Sequence, residues 1–335
     1  MESRKSRRWL LSRRPKGLPE AGDFTFEEVE VPPPDEGEVV VQMRYLSLDP
    51  AMRGWMNEGP SYVPAIKIGQ VMRAYGVGQI VESRSERYAV GDWVTAPSGI
   101  QTVFKTRERG DLRRVDPELA PVTWHLGVLG MTGLTAWFGL FDIGEPSEGD
   151  TVLVSGAAGA VGSIVGQLAR IAGCRVVGIA GGPEKCRHLV DELGFDDAID
   201  YKAPGMRQAI KNACPDGIDV FFDNVGGETL EAGLSICNDH ARVVLSGAIS
   251  QYNATELPPG PRNIGLLIVR RIRMEGFIVM DYAERYGEAV PRLAQWAREG
   301  RLQSRETIVE GIETFPETLL RLFSGEKMGK LMLAV

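Results

Sequence analysis

The chain has little with which to hold a metal. Its three histidines (His125, His188, His240) and four cysteines (Cys174, Cys186, Cys214, Cys237) are scattered along 335 residues. No two cysteines stand at C-x-x-C spacing, and no histidine stands at ligand spacing from a Cys or Glu. Neither a disulfide framework nor a zinc site is expected. Basic excess is also missing: 38 Lys and Arg against 45 Asp and Glu give a formal net charge of -7. A surface that grips nucleic-acid phosphates needs the opposite balance, so nucleic acid is not an expected partner. The one basic cluster is Arg4, Lys5, Arg7, Arg8, Arg13, Arg14 and Lys16, read as a solvated first segment around a short strand. It lacks the apolar stretch of a secretory signal, so a cytoplasmic protein is expected. No run approaches the roughly 20 apolar residues of a membrane span. Internal repeats and low-complexity segments are absent as well.

What is present centres on Thr151-Val-Leu-Val-Ser-Gly-Ala-Ala-Gly-Ala-Val-Gly162. A short apolar β-type run breaks into glycines at Gly156, Gly159 and Gly162. A helical pattern follows at once, with apolar residues at Val161, Ile164, Val165, Leu168 and Ile171. Glycines permit a tight turn, a close approach of pyrophosphate to the backbone, and close packing of helix on strand. The helix N-terminus adds unpaired N–H groups and a partial positive charge. Gly156, Ala158, Gly159, Ala160, Val161 and Gly162 are therefore candidate cofactor contacts. Three glycines alone are weak evidence; strand before and helix after make them specific.

Sheets that bind NAD usually carry an acid at the end of the second strand to grip the ribose 2′-hydroxyl. Here the strand Arg175-Val-Val-Gly-Ile-Ala180 runs into Gly181-Gly-Pro-Glu-Lys185, with no acid at its end. A cation there attracts a 2′-phosphate that an acid would repel. Gly181 and Lys185 are the candidates, and NADP(H) is the expected cofactor. Glu184 competes, but its place at a helix N-terminus accounts for it. Two further turns end strands: Phe222-Asp-Asn-Val-Gly-Gly227 and Ser246-Gly-Ala-Ile-Ser-Gln-Tyr252. Ligands bind at such ends in open α/β sheets, which makes Asn224 and Gly247 candidates too.

The length suits two domains. Strand candidates at 24–30, 38–46, 77–82, 93–96 and 100–106 are separated by turns and by an irregular stretch at 47–72. They predict a β-barrel-like module. Residues 124–142 read as helical. Strand and helix then alternate: strands at 151–155, 175–180, 197–201, 218–222, 241–246 and 275–280, and helices at 160–172, 184–193, 205–213, 227–237, 263–271 and 283–299. That alternation predicts a doubly wound parallel sheet. A last strand–helix–strand set (306–310, 316–324, 330–334) is expected to rejoin the first module. The domains are thus expected at 1–122, 123–304 and 305–335, the first and last forming one unit.

Motifs spread from about residue 40 to the C-terminus carry a resemblance. They are Leu46-Ser-Leu-Asp-Pro50 with Met52-Arg-Gly54, Gly130-Met-Thr-Gly-Leu-Thr-Ala136, Ala157-Ala-Gly-Ala-Val-Gly162, Phe222-Asp-Asn-Val-Gly-Gly227 and Gly247-Ala-Ile-Ser250 with Tyr252 and Asn253. Pro258-Pro-Gly-Pro261, Arg273-Met-Glu-Gly-Phe277 and Gly329-Lys330 complete the set. Together they resemble the zinc-independent, NADP-dependent double-bond reductases of the medium-chain dehydrogenase/reductase superfamily. The resemblance implies a Rossmann domain with a discontinuous GroES-like β-barrel substrate domain, and an active site in the cleft. It implies that Lys185 and Tyr201 contact the adenosine 2′-phosphate. Asn224, Ser246, Gly247, Ala248, Ile249, Ser250, Tyr252, Phe277, Ile278 and Val279 would line the ribose and nicotinamide, with Met131, Thr132 and Gly133 nearby. A homodimer is expected from the family and from the apolar stretch Gly276-Phe-Ile-Val-Met280 at the predicted sheet edge.

The chain departs from its relatives where the proton donor is concerned. Val269 and Ala51 stand where relatives often have Tyr, and Lys327, on the cofactor side, stands where the family usually has Asn. The donor cannot be carried over; Tyr62, Tyr252 and the cofactor's ribose hydroxyl remain, and for each tyrosine a structural role competes. Hydride addition to the β-carbon of an α,β-unsaturated ketone or aldehyde needs only a hydrogen-bond donor for the carbonyl oxygen and a proton for the α-carbon. Two rivals stand beside this small-molecule reductase: an NADPH quinone oxidoreductase, and an NADPH-binding structural or sensor protein.

Overall fold

A computed structural model describes residues 2–108 and 111–335. Its strands up to residue 115 are β1 (Arg4–Leu11), β2 (Phe24–Val31), β3 (Glu38–Leu48), β4 (Gly76–Ser83), β5 (Trp93–Ala96), β6 (Val103–Arg107) and β7 (Arg113–Val115). There follow β8 (Thr151–Ser155), β9 (Arg175–Ala180), β10 (Asp197–Asp200), β11 (Ile218–Asp223), β12 (Cys237–Leu245), β13 (Arg273–Gly276), β14 (Glu306–Glu310) and β15 (Lys330–Ala334). The α-helices begin with α1 (Ala51–Trp55), α2 (Met131–Phe138), α3 (Ala160–Ile171), α4 (Pro183–Arg187) and α5 (Met206–Ala213). They end with α6 (Gly227–Leu234), α7 (Leu266–Val269), α8 (Tyr286–Arg298) and α9 (Phe315–Ser324). Among the described residues no helix is long and apolar enough to cross a membrane.

Two compact units emerge: the chain up to Leu126 joined by Glu306–Val335, and Gly127–Arg305. In the first, strands run in the order β14-β15-β3-β4-β5-β7, with β6 also paired to β3. The eleven-residue β3 is the centre, touching β15, β4 and β6. Two register shifts against β4 let it bend between partners. Hydrogen bonding does not join the two ends of this path, so the barrel-like sheet stays open among the described residues. Its core collects Val39, Val41, Met43, Leu46 and Leu48 from β3, and Phe315, Leu319 and Leu322 from α9.

The basic N-terminal cluster surrounds a strand as expected, and none of its side chains is buried. It builds an eight-residue strand, β1, laid antiparallel on the acidic β2. Lys5 pairs with Glu28, Arg8 with Glu27 and Arg4 with Glu82, while Arg13 reaches Asp23 and Glu20. Nearby, the buried Arg53 of α1 donates to the carbonyls of Pro15 and Gly17 and to Asn57. That fixes the turn preceding β2.

The C-terminal tail is tied in by charge. Lys330, at the start of β15, is buried, and its ammonium donates to the Leu48 carbonyl at 3.3 Å and to Asp49 Oδ1 at 2.5 Å. Ser47 donates to the other Asp49 oxygen.

The second unit holds a six-stranded parallel sheet in the order β10-β9-β8-β11-β12-β13. In the unit's own count this is 3-2-1-4-5-6, the doubly wound arrangement with its switch point between β8 and β11. Every residue of β8 is buried. Four expected boundaries shift. The helix expected at 124–142 is split: a 3₁₀ turn at Val122–Leu126, then α2 beyond Gly130, running on as a π-turn to Gly144. The helix expected to 237 stops at Leu234, because Cys237 already begins β12. The helix expected at 263–271 shrinks to the four residues of α7, and Arg271 beyond it turns left-handed at φ 52°. The strand expected at 275–280 is β13, Arg273–Gly276, so Phe277, Ile278 and Val279 lie outside the sheet. The short α1 and β7 are further elements that periodicity does not reveal.

The Lys330→Ala variant leaves Asp49 half-buried without its cation. It should lower stability by about 2 kcal/mol, the discounted cost of breaking a buried pair. Chemical denaturation measures it.

Candidate dinucleotide site

The fully buried β8 delivers the chain to a turn that glycine alone suits. Gly156 is left-handed at φ 58°, and Ala157 N–H bonds to the Ile179 carbonyl at 3.0 Å, pinning the turn to β9. Gly159 is the N-cap of α3, and no side chain caps that helix. Its first N–H groups are therefore left for an outside acceptor such as a phosphate. A Cβ at Gly162 would lie 2.5 Å from the Gly156 carbonyl oxygen and 2.8 Å from Ala157 Cα. The turn rests on the helix backbone.

A buried carboxylate holds the neighbouring turns in place. Asp223, at the end of β11, accepts from the Ser155 hydroxyl at 2.5 Å and from the backbone N–H groups of Val225 (3.1 Å) and Gly226 (2.9 Å). The Ser155 oxygen in turn accepts Asn224 N–H at 2.8 Å, and the Asn224 amide donates to the Ser155 carbonyl at 2.7 Å. Burial pushes the Asp223 carboxyl up from the usual carboxylate range, while these three donors pull the other way. The turn after β12 joins the same assembly. Ser246 and Gly247 donate N–H to the Asp223 carbonyl, Ile249 to that of Asn224, and Ser250 to that of Val225. Tyr252 closes the loop: its hydroxyl accepts Ala248 N–H at 3.2 Å, so its own proton remains for donation.

At the end of β9 the Tyr201 ring lies against Gly181, where a Cβ would sit 2.8–2.9 Å from ring atoms. Lys185 is half-buried on α4. Burial first, and the neighbouring Lys202 ammonium second, lower its pKa from the ordinary lysine value, with Glu184 opposing. Two cations that repel one another beside a glycine turn fit a dianionic 2′-phosphate, which relieves the repulsion. Sequence reasoning missed Lys202. Its only signal was adjacency to Tyr201. It likewise missed Asp223, visible only as an acid ending an otherwise apolar strand.

Met131 and Val279 converge through Tyr286, whose hydroxyl donates to the Val279 carbonyl at 3.0 Å and lies 4.0 Å from the Met131 sulfur. Thr132 is turned inward, donating to the Gly127 carbonyl. Phe277 meets Tyr282 edge-on, and Tyr282 stacks on Phe138 at 4.6 Å. So the fold gathers the glycine turn, Lys185, Tyr201, Asn224, residues 246–252, Met131–Gly133 and 277–279 into the second unit. Tyr62 and Lys327 belong to the first unit. The Tyr62 hydroxyl accepts the Trp55 indole N–H at 3.0 Å, and Lys327 donates to the Gly329 carbonyl at 3.5 Å. Val269 is exposed on α7, and Ala51 opens α1. No three His, Cys, Asp or Glu among the described residues are grouped to hold a metal ion.

A doubly wound sheet with such a turn, in a chain that also carries a discontinuous β unit, has the features of a dinucleotide-binding protein. Comparison with known proteins narrows the class. The family described as "N-terminal domain of oxidoreductase" matches residues 7–115, and "Zinc-binding dehydrogenase" matches residues 160–295. The chain is 44% identical to the NADPH-dependent curcumin reductase of Escherichia coli (strain K12), over 100% of this chain and 98% of that protein. It is 40% identical to prostaglandin reductase 1 of Oryctolagus cuniculus, covering 97% and 92%. The crystal structure of CurA in complex with NADPH from Vibrio vulnificus superposes with a TM-score of 0.94 at 41% identity, over 98% and 99% of the two chains. The chain belongs to the medium-chain dehydrogenase/reductase superfamily, within the NADP-dependent double-bond reductases.

In the Gly162→Ala variant the added methyl meets backbone, not a yielding side chain. It should weaken NADPH binding at least tenfold in a fluorescence titration; unchanged affinity would remove the 156–162 turn from the site.

Proposed function

We propose that the protein uses NADPH to reduce the C=C bond of α,β-unsaturated ketones and aldehydes. The observation that carries this reading is end-to-end identity of 44% with an enzyme named as an NADPH-dependent curcumin reductase. When bound, NADPH supplies the hydride that adds to the substrate's β-carbon. The uncapped α3 N-terminus takes the pyrophosphate, and Lys185, Lys202 and Tyr201 take the 2′-phosphate. Asn224, the 246–252 turn, Met131–Gly133 and Phe277–Val279 orient the ribose and nicotinamide. Negative charge then gathers on the carbonyl oxygen and needs one donor. Tyr252 is the favoured one, because Ala248 N–H occupies a hydroxyl lone pair and leaves the proton. Tyr62 is the alternative; its hydroxyl accepts the Trp55 indole N–H. The first unit serves as the substrate domain. Four free thiols suit a cytoplasmic setting, where cysteines stay reduced.

Steady-state kinetics with an enone and a quinone side by side test the reaction. The enone should be turned over faster, and Tyr252→Phe should lower kcat by about 10²-fold, the scale of a lost proton donor. An equal loss in Tyr62→Phe instead would transfer the role. Tight NADPH binding without turnover across an enone panel would leave only the sensor reading.

A homodimer belongs to the same proposal. β13 is the last strand in its sheet, and α7, just before it in the chain, exposes Ile268 (83%) and Val269 (68%). A second copy meeting this edge about a two-fold axis would continue the sheet and cover the apolar residues. Light scattering should give twice the chain mass; a monomer would overturn it.

A further inference from the structure

The acid missing from the end of β9 is supplied by the next strand, in a different role. Asp200 is the last residue of β10 and lies opposite Ala180 in the parallel register. One of its oxygens, Oδ1, accepts two backbone donors: Gly182 N–H at 2.8 Å and Lys202 N–H at 3.0 Å. Those two residues flank the glycine turn from either side. Gly182 immediately precedes Pro183, the first residue of α4, and is left-handed at φ 94°. Lys202 follows Tyr201, whose backbone N–H bonds to the Ala180 carbonyl and whose ring covers Gly181. The same two N–H groups hold the Asp200 carboxyl below the usual carboxylate range.

We propose that Asp200 is the positioning residue for NADPH over NADH: its Oδ1 clamps the 181–182 turn to residue 202 and so sets Lys185 and Lys202 at the spacing a 2′-phosphate needs. The clamp needs an acceptor, and the charge is incidental to it. A free carboxylate would repel the phosphate; this one is hydrogen-bonded on the oxygen that faces the turn, and the two lysines outweigh it. The inference rests on the assignment of Lys185 to the 2′-phosphate, so the test separates the two.

Three variants are assayed with NADPH and with NADH at saturating enone. Lys185→Ala should raise the KM for NADPH about tenfold or more and leave that for NADH within twofold. Asp200→Ala should do the same with kcat retained, because both N–H groups lose their acceptor. Asp200→Asn keeps an acceptor oxygen and should restore NADPH KM to within about twofold of the parent enzyme. If Lys185→Ala leaves NADPH KM unchanged, the phosphate assignment fails. If it raises KM but Asp200→Ala does not, or if Asp200→Ala raises both cofactors' KM equally, the clamp is overturned. An Asp200→Asn variant as impaired as Asp200→Ala would also overturn it, since charge rather than geometry would then be at work.

Discussion

One buried carboxylate organises the second unit. Asp223 reaches none of the solvent, a position that is costly for a charge unless donors surround it. Three donors do so: Ser155 from the end of β8, and two N–H groups from its own turn. Because its backbone carbonyl also takes the N–H groups of Ser246 and Gly247, three strand ends are locked at one point. These ends flank the switch point where ligands enter such sheets. Pre-organisation of this kind spares a ligand the entropy of ordering three loops.

Much of that architecture was legible in the sequence, and for identifiable reasons. The glycine turn is local: the strand, the turn and the start of the helix occupy twelve consecutive residues, and Gly156 and Gly162 each have a steric cause. The central parallel strands β8, β9 and β11 are buried on both faces, so they read as near-continuous apolar runs. Long-range pairing left no such trace. Ser155 and Asp223 are 68 residues apart, and Asp49 and Lys330 are 281 apart. Asp49 and Lys330 each sit in a recognisable motif, yet neither motif names the other. Asp200 is a sharper case. The question put to the sequence concerned the end of β9, and the answer came from β10, which only the sheet order brings alongside.

Where the sequence misled, local pattern lost to backbone constraint. Leu266 to Val269 have helical periodicity, but the left-handed Arg271 stops the helix after a single turn. The basic residues near the N-terminus are solvated as read, but the sequence did not display that their acidic partners come from β2 and β4. Antiparallel pairing sets Lys5 opposite Glu30 and Arg8 opposite Glu27, and the charge is met within the fold. Tyr62 and Tyr252 were both plausible donors by composition. Each hydroxyl receives an N–H, Tyr62 from the Trp55 indole and Tyr252 from Ala248, a shared arrangement that sequence could not display.

The discontinuity of the first unit bears on how the protein is made. β15 lies between β14 and β3, and Val335 N–H bonds back to the Arg44 carbonyl. Synthesis runs from the N-terminus, so the second unit, complete at Arg305, has all its strands while the first still lacks two. The C-terminal part of β3, Tyr45–Leu48, must meanwhile wait without its partner strand, and its apolar core without α9. A nascent chain in that condition offers a template for wrong pairing until β14 and β15 arrive. The Arg285–Asp142 and Arg242–Asp150 pairs close the second unit without them. A finished dinucleotide fold is therefore attached to an unfinished partner unit until β14 and β15 are made, and their docking decides when β3 is protected from wrong pairing.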